Sequence, residues 1–281
     1  MRFATYEGVT TGAQSFGLVE GDEVVDLGGR WASLKALLRS PSGLASAAEA
    51  PRGSRIPLSK VRLLPPLPDA EKILCVGLNY DEHRVETGRP KSEFPTIFTR
   101  FADSLVGHQR AMVRPHESEQ YDFEGELAVV IGRKARHLSE EDALSVIAGY
   151  ACFNDGSVRD WQRHSHQYTP GKNFVSSGAM GPFLVSADEV PDPTALTIET
   201  RLNGQRVQHG RASDMIFPIG VLLRYITQFT ELNPGDIIAT GTPGGVGFKR
   251  TPPLFMKRGD VVEVEISTLG TLRNPIEDAS T

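Results

Sequence analysis

The 281-residue chain has only two cysteines, no excess of basic charge and no apolar run approaching the ~20 residues of a membrane span. Cys75 and Cys152 both lie inside apolar segments. They read as buried thiols of a reducing compartment, with a single disulfide as the less favoured alternative. The N-terminal MRFATYEGVT lacks the charged-then-apolar pattern of a secretory signal, so the expected location is cytoplasmic. Thirty Lys and Arg against thirty-five Asp and Glu leave a formal net charge of −5. That removes the electrostatic case for nucleic acid or an anionic membrane as a partner. The glycine run GTPGGVGF (241–248) matches neither G-x-x-x-x-G-K-[ST] nor G-x-G-x-x-G, so it is not read as a nucleotide loop. A tight structural turn, or backbone amides that hold a small carboxylate, are the readings left for it.

What is present reads mostly as strands. Residues 1–70 form a small leading module of α/β character: RFATY and SFGLVEGDEVVDLG are strand-like, with Gly21-Asp22 as a hairpin turn. WASLKALLRS spaces Trp31, Leu34, Leu37 and Leu38 for a helix. The prolines of LLPPLPDAEK make a stiff connector to residues 71–281. Beyond it come KILCVGLNY, ELAVVIG, AGYACFND, GPFLVS, ALTIETRLNG, DIIATG and DVVEVEI, with Asn203-Gly204 as a second hairpin turn. Helices are predicted over SEEDALSVI, with Ser139 as N-cap, and over FPIGVLLRYITQFT. The expected fold class is α+β, mainly β.

The stretch YDFEGELAVVIG (121–132) places Asp122, Glu124 and Glu126 directly before an apolar run. On a strand Glu124 and Glu126 point the same way, about 7 Å apart along the chain, and Gly125 removes a side chain from the opposite face. Like charges at the rim of a buried sheet repel and lose solvation unless a cation compensates. Hard divalent cations such as Mg²⁺, Mn²⁺ or Ca²⁺ take oxygen ligands of this kind. Asp155, directly after AGYACFN, adds a third carboxylate at a strand end. On the residues alone two readings stay open. These are solvated strand-end carboxylates, with Asp155 capping a helix from Ser157, or a tridentate site completed by water or substrate.

Two further pieces could carry chemistry. His83 and Glu86 in GLNYDEHRVETG are three apart and would share a helical face. A carboxylate on one imidazole nitrogen fixes the tautomer and raises the basicity of the other, as a general base requires. The competing reading is a surface pair. Lys172, in TPGKNF, is either an anion-facing cation or an exposed loop lysine.

In this order, GLNYDEHRVE, DFEGELAVVIG, GYACFNDGSVRDWQ, TPGKNF, RASDMIF and LNPGDIIATGTPGGVG resemble the fumarylacetoacetate hydrolase family over roughly residues 71–281. The resemblance implies a mixed β-roll catalytic domain preceded by a small N-terminal domain, in homodimers or higher homo-oligomers. It implies one divalent cation per subunit, Mg²⁺ or Mn²⁺, on Glu124, Glu126 and Asp155. By the same match His83 and Glu86 are the catalytic dyad, on a segment that closes over ligand. Lys172 faces developing negative charge, and Gln162 and Thr242 contact substrate. Gly125 and Gly156 stand where bulkier residues are more usual. Arg100 replaces a frequent lysine, and either meets a distal substrate carboxylate or pairs with Asp103. His164 and His166 lie in the loop that shapes the pocket, and His166 is expected at the substrate.

The leading functional expectation is metal-dependent C–C hydrolysis of an acylpyruvate-like 1,3-diketo acid (of fumarylpyruvate or fumarylacetoacetate type), in catabolism of aromatic or related compounds. His83 would activate water, and the cation would act as a Lewis acid. The alternative is decarboxylation or tautomerisation of an oxaloacetate-like 2-oxo acid. A non-catalytic, metal-dependent ligand binder is the alternative of another class.

Overall fold

The structure, a computed structural model, describes residues 1–50 and 53–280. The expected class is the one observed, α+β and mostly β. Among the described residues the principal sheet has twelve strands. Its central path runs Arg2–Gly8, Gly178–Ser186, Ile147–Asn154, Gly125–Ile131, Ile237–Ala239, Ile73–Gly77 and Thr96–Arg100. The leading module extends the same sheet, because Phe3 pairs with Leu184 across the Arg2–Gly8 and Gly178–Ser186 strands. Both hairpins form as expected: Glu20 opposes Glu23, and Leu202 opposes Gln205. Asn203 and Gly204 both take positive φ (53° and 78°), as a two-residue hairpin turn requires.

A second sheet of five strands, with Thr197–Leu202 and Val261–Ile266 at its centre, packs on the first. Side chains of the strand Gly125–Ile131 alternate between two cores. Leu127, Val129 and Ile131 enter the core shared with Ile198, Val264 and Leu272 of the second sheet. Ala128 and Val130 enter the core shared with Phe3, Phe16, Leu34 and Leu37 of the leading module. This strand is therefore buried on both faces, which is why it reads as an unbroken apolar run. Gly125 faces Thr200 and Val264 of the second sheet. A Cβ there would lie 2.1 Å from Thr200 Oγ1, so no larger residue fits. A Cβ at Gly156 would lie 2.0 Å from Ser177 O, just ahead of the strand Gly178–Ser186.

FPIGVLLRYITQFT forms the helix Ile219–Phe229, burying Ile219, Leu222, Leu223 and Ile226 at helical spacing. SEEDALSVI does not form the helix expected of it. Ser139 Oγ accepts the Asp142 amide at 3.1 Å, but the segment yields only a 3₁₀ turn, Ala143–Val146. Ile147 then enters the sheet, and the Gly132 amide donates to Val146 O at 2.7 Å. Strand pairing of this β-branched pair outcompetes helix propagation.

Antiparallel pairing sets Gly125 opposite Asn154, and Ala239 and Cys75 lie level with Ala128. The start of Gly125–Ile131 and the ends of Ile147–Asn154, Ile237–Ala239 and Ile73–Gly77 therefore meet along one edge of the sheet. That edge carries the site.

Candidate metal centre and active site

Glu124 immediately precedes its strand, Glu126 is the strand's second residue, and Asp155 immediately follows the neighbouring strand. The Asp155 amide donates to Glu124 O at 2.8 Å, continuing the ladder and bringing the three carboxyls together. Each offers an oxygen, and these oxygens lie within 4.8 Å of one another with all three residues buried. The strand-end readings are therefore replaced. The carboxylates are not solvated, and Asp155 caps no helix: Ser157–Val158 pairs as strand with Tyr121–Asp122, and the helix starts only at Arg159.

Buried cations meet the cluster. Lys172 Nζ lies 2.8 Å from Glu124 Oε2 and 2.5 Å from Asp155 Oδ2. Arg159 lies 2.6 Å from Glu124 Oε1 and 2.8 Å from Asp122 Oδ2, and Arg100 lies 2.7 Å from Asp155 Oδ1. Burial alone would raise Glu124, but Lys172 and Arg159 outweigh it and hold this carboxyl well below the usual range. Burial likewise opposes the charge on Lys172, yet Asp155 and Glu124 keep the ammonium above its ordinary value. Glu126 makes no ion pair among the described residues. Burial, and then the negative Asp155 and Glu124 beside it, push its pKa well above the usual range.

With all four carboxyls ionised (Asp122, Glu124, Glu126, Asp155), the three cations leave the cluster one positive charge short. An all-oxygen, three-carboxylate donor set with that deficit fits a hard divalent cation, with further positions open to water or substrate. Uptake of such a cation competes with protonation of Glu126, which burial and the neighbouring carboxylates favour. The Mn²⁺ affinity of metal-free protein is therefore expected to rise with pH, by up to about tenfold per unit. Calorimetric titration across mildly acidic to mildly basic buffers checks this, and a flat profile rules it out.

The glycine run does hold carboxylates, and they are the protein's own. The Gly241 amide donates to Glu126 Oε2 at 2.9 Å, Gly245 to Glu86 Oε2 at 2.9 Å, and Gly247 and Phe248 to Asp122 at 2.9 and 3.0 Å. Gly245 has φ +101°, and a Cβ there would sit 2.3 Å from Val207 O. One loop thus orients a residue of the metal cluster, the dyad and the Asp122–Arg159 pair.

His83 and Glu86 share the helix Asp81–Glu86, with Nδ1 and Oε1 2.8 Å apart. A carboxylate accepting there places the proton on Nδ1 and leaves Nε2 as the basic nitrogen. His83 is buried and lines a cavity of about 650 Å³, whose wall also includes Glu124, Glu126, Arg159, Lys172 and Phe98. Gln162, Thr242, His164 and His166 line it too. Gln162 accepts from Arg159 Nη1 at 3.0 Å. The Thr242 hydroxyl donates to Gly125 O and accepts from Gln208. Exposed Arg89, Arg163 and Lys249 stand around the same cavity.

Arg100 is not at the cavity. Its side chain is fully buried against Asp155 and, among the described residues, bonds to Ser104, Asp155, Gly156 and Ser177 and not to Asp103. Sequence reasoning also missed Arg159 as a site residue. It lines the cavity, its Nη2 is buried without a partner, and its guanidinium lies 4.3 Å over the Phe248 ring. The available signal was its place four residues after Asp155 in NDGSVRDWQ.

The family model described as fumarylacetoacetate (FAA) hydrolase C-terminal matches residues 72–277, and one described as Rv2993c-like, N-terminal, matches residues 1–66. Oxaloacetate tautomerase fahd2, mitochondrial, of Xenopus laevis is 40% identical over 268 residues, covering 92% of this chain and 84% of the relative. Oxaloacetate tautomerase FAHD2A, mitochondrial, of Homo sapiens is 43% identical over 223 residues, covering 79% and 71%. Maleylpyruvate hydrolase from Sphingobium sp. SYK-6, in complex with manganese(II) and pyruvate, superposes with TM-score 0.83 at 29% identity over the whole of both chains. The 2-hydroxyhepta-2,4-diene-1,7-dioate isomerase from Mycobacterium marinum does so with TM-score 0.80 at 32% identity, again over the whole of both chains.

These relatives are enzymes. The curated ones favour the tautomerase alternative over the C–C hydrolysis expected first. Both are mitochondrial by name, which gives the cytoplasmic expectation no support, and no described helix is long and apolar enough to cross a membrane. With matched sequence from residue 72 to residue 277 and a shared fold over its whole length, the chain belongs to the fumarylacetoacetate hydrolase family.

Proposed function

We propose that the protein catalyses keto–enol tautomerisation of a small 2-oxo dicarboxylic acid of oxaloacetate type, with a divalent cation on Glu124, Glu126 and Asp155. The observation that carries this reading is the His83–Glu86 dyad, whose histidine lines the same cavity as Glu124, Glu126 and Lys172. Bound there, Mg²⁺ or Mn²⁺ would supply Lewis-acid polarisation of the 2-oxo group.

The chain's own groups do the proton work. In the keto-to-enol direction His83 Nε2 removes a proton from C3, with Glu86 holding the ring's tautomer and stabilising the imidazolium that results. The charge developing on the 2-oxo oxygen is met by the buried Lys172 ammonium, and transfer of the abstracted proton from the His83 imidazolium to that oxygen completes the enol and restores the neutral base. The reverse direction returns the proton from His83 to C3. One base suffices, and no water has to be placed for attack at carbon. Arg159 Nη2, unpartnered at the cavity wall, is a donor suited to the substrate's carboxylate.

Loss of the enol absorbance of oxaloacetate, measured with and without chelator, tests the reading. The expected result is conversion faster than with metal ion alone and abolished by chelation. No gain over the ion-only control, with acetylpyruvate instead giving acetate and pyruvate, would overturn it in favour of hydrolysis.

One observation favours the hydrolytic second reading. A cavity of about 650 Å³ is roomy for a four-carbon acid, and the exposed cations Arg89 and Lys249 beside it suit a longer substrate with a distal anion. Lys249→Ala is accordingly expected to raise KM for a longer 2-oxo dioate by about three- to tenfold, the scale of one exposed charge contact. KM for oxaloacetate should stay unchanged. Parallel Michaelis profiles check this, and an equal effect on both acids would place Lys249 outside any distal subsite.

A further inference from the structure

We infer that Arg100 is a positioning residue that locks the Asp155 carboxylate in the orientation the cation site needs, and is no part of the substrate pocket. The inference rests on the reading of Glu124, Glu126 and Asp155 as that site. Arg100 closes the strand Thr96–Arg100 and is 2% exposed. Its guanidinium is used on every side. Nη1 donates to Asp155 Oδ1 at 2.7 Å and Gly156 O at 2.9 Å, Nε to Ser104 Oγ at 3.1 Å, and Nη2 to Ser177 Oγ at 2.9 Å and Ser104 O at 3.4 Å.

Three separate segments are therefore tied to one planar group: the Asp155–Gly156 turn, the turn at Ser104, and Ser177 ahead of the strand Gly178–Ser186. The seat is shaped for it, since a Cβ at Gly178 would stand 2.6 Å from Nη2. Asp155 Oδ1 is held by Arg100 and Oδ2 by Lys172, so the carboxylate plane is pinned at both ends. A lysine at position 100 would keep the charge but could not fork between Asp155, Gly156 and the two serines.

Charge and geometry predict opposite signs here, which makes the inference testable. Arg100→Gln removes a cation from beside the metal site, so Coulomb's law alone predicts tighter Mn²⁺ binding. Loss of an orienting partner predicts weaker binding, by about 10–100-fold. The experiment measures free Mn²⁺ by electron paramagnetic resonance during titration of metal-free parent, R100Q, R100K and S177A proteins. S177A keeps the charge and removes one brace, so it tests the idea even where position 100 does not tolerate change. Weaker binding in R100Q, partial recovery in R100K, a roughly two- to tenfold loss in S177A and a broadened bound-Mn²⁺ spectrum are expected. Tighter binding in R100Q, or unchanged affinity in S177A and R100K, would overturn the inference. Failure of the parent protein to bind Mn²⁺ would overturn the cation site itself, and this inference with it.

Discussion

Replacing His83 with glutamine is expected to lower kcat for oxaloacetate tautomerisation by about 10²–10⁴-fold, the range supplied by a positioned general base. Glutamine can still hydrogen-bond toward Glu86 but cannot take a proton from carbon. The three carboxylates of the cation site are untouched by the change, so Mn²⁺ affinity should match that of the parent. Glu86→Gln should act in the same direction and less strongly, since it disturbs the tautomer and the Gly245 contact but leaves the imidazole in place. Turnover is followed by enol absorbance and Mn²⁺ binding by calorimetry. Unchanged kcat in His83→Gln would remove the dyad from the mechanism. Lost Mn²⁺ binding would make His83 part of the metal site instead.

Lys172→Met should produce the largest loss of stability. The ammonium is 1% exposed and neutralises Glu124 and Asp155 together, at 2.8 and 2.5 Å. Taking one partner from a buried ion pair leaves the other charge without compensation, at a cost of about 3–5 kcal/mol. The sign of its pH dependence follows from Glu124, whose folded-state pKa lies below the ordinary 4.5 because Lys172 and Arg159 outweigh burial. The stability that this pairing contributes is present above about 4.5 and lost as pH falls through the lower folded value. The gap between parent and variant is therefore greatest at neutral pH and closes in acid. Mn²⁺ should narrow it at neutral pH by replacing the missing charge and binding only the folded state. Urea unfolding of metal-free and Mn²⁺-loaded protein at neutral and acid pH tests each point. A variant as stable as the parent at neutral pH would mean that the cluster discharges itself by protonation.

Local patterns carried much of the architecture. Asn203-Gly204 needs positive φ at both positions, and few other dipeptides supply it. The helix Ile219–Phe229 follows from an apolar stripe that no strand could bury on one side. SEEDALSVI shows where local pattern stops. Its cap forms, yet Val146 and Ile147 are claimed by pairing with the end of the preceding strand, at Ile131 and Gly132.

The site divides in the same way. Short spacings marked Glu124, Glu126, Asp155, His83 and Glu86 as candidates (E-x-E at a strand mouth, H-x-x-E on one turn, a carboxylate at a strand end), while the roles of these residues and of Lys172 came only from the family resemblance. Partner choice was not readable. Arg100 lies 55 residues from Asp155, and only the closure of the sheet turns it inward beneath that carboxylate and away from the substrate pocket. The glycine run looked like a loop awaiting an anion. Folding delivers three carboxyls from two other segments to its amides, because buried N–H groups and buried carboxylates each lack any cheaper partner. Residue types and local spacing thus set which groups were available for chemistry. Long-range strand pairing set which of them face one another, since burial makes an unpaired charge too costly to leave wherever the chain happens to put it.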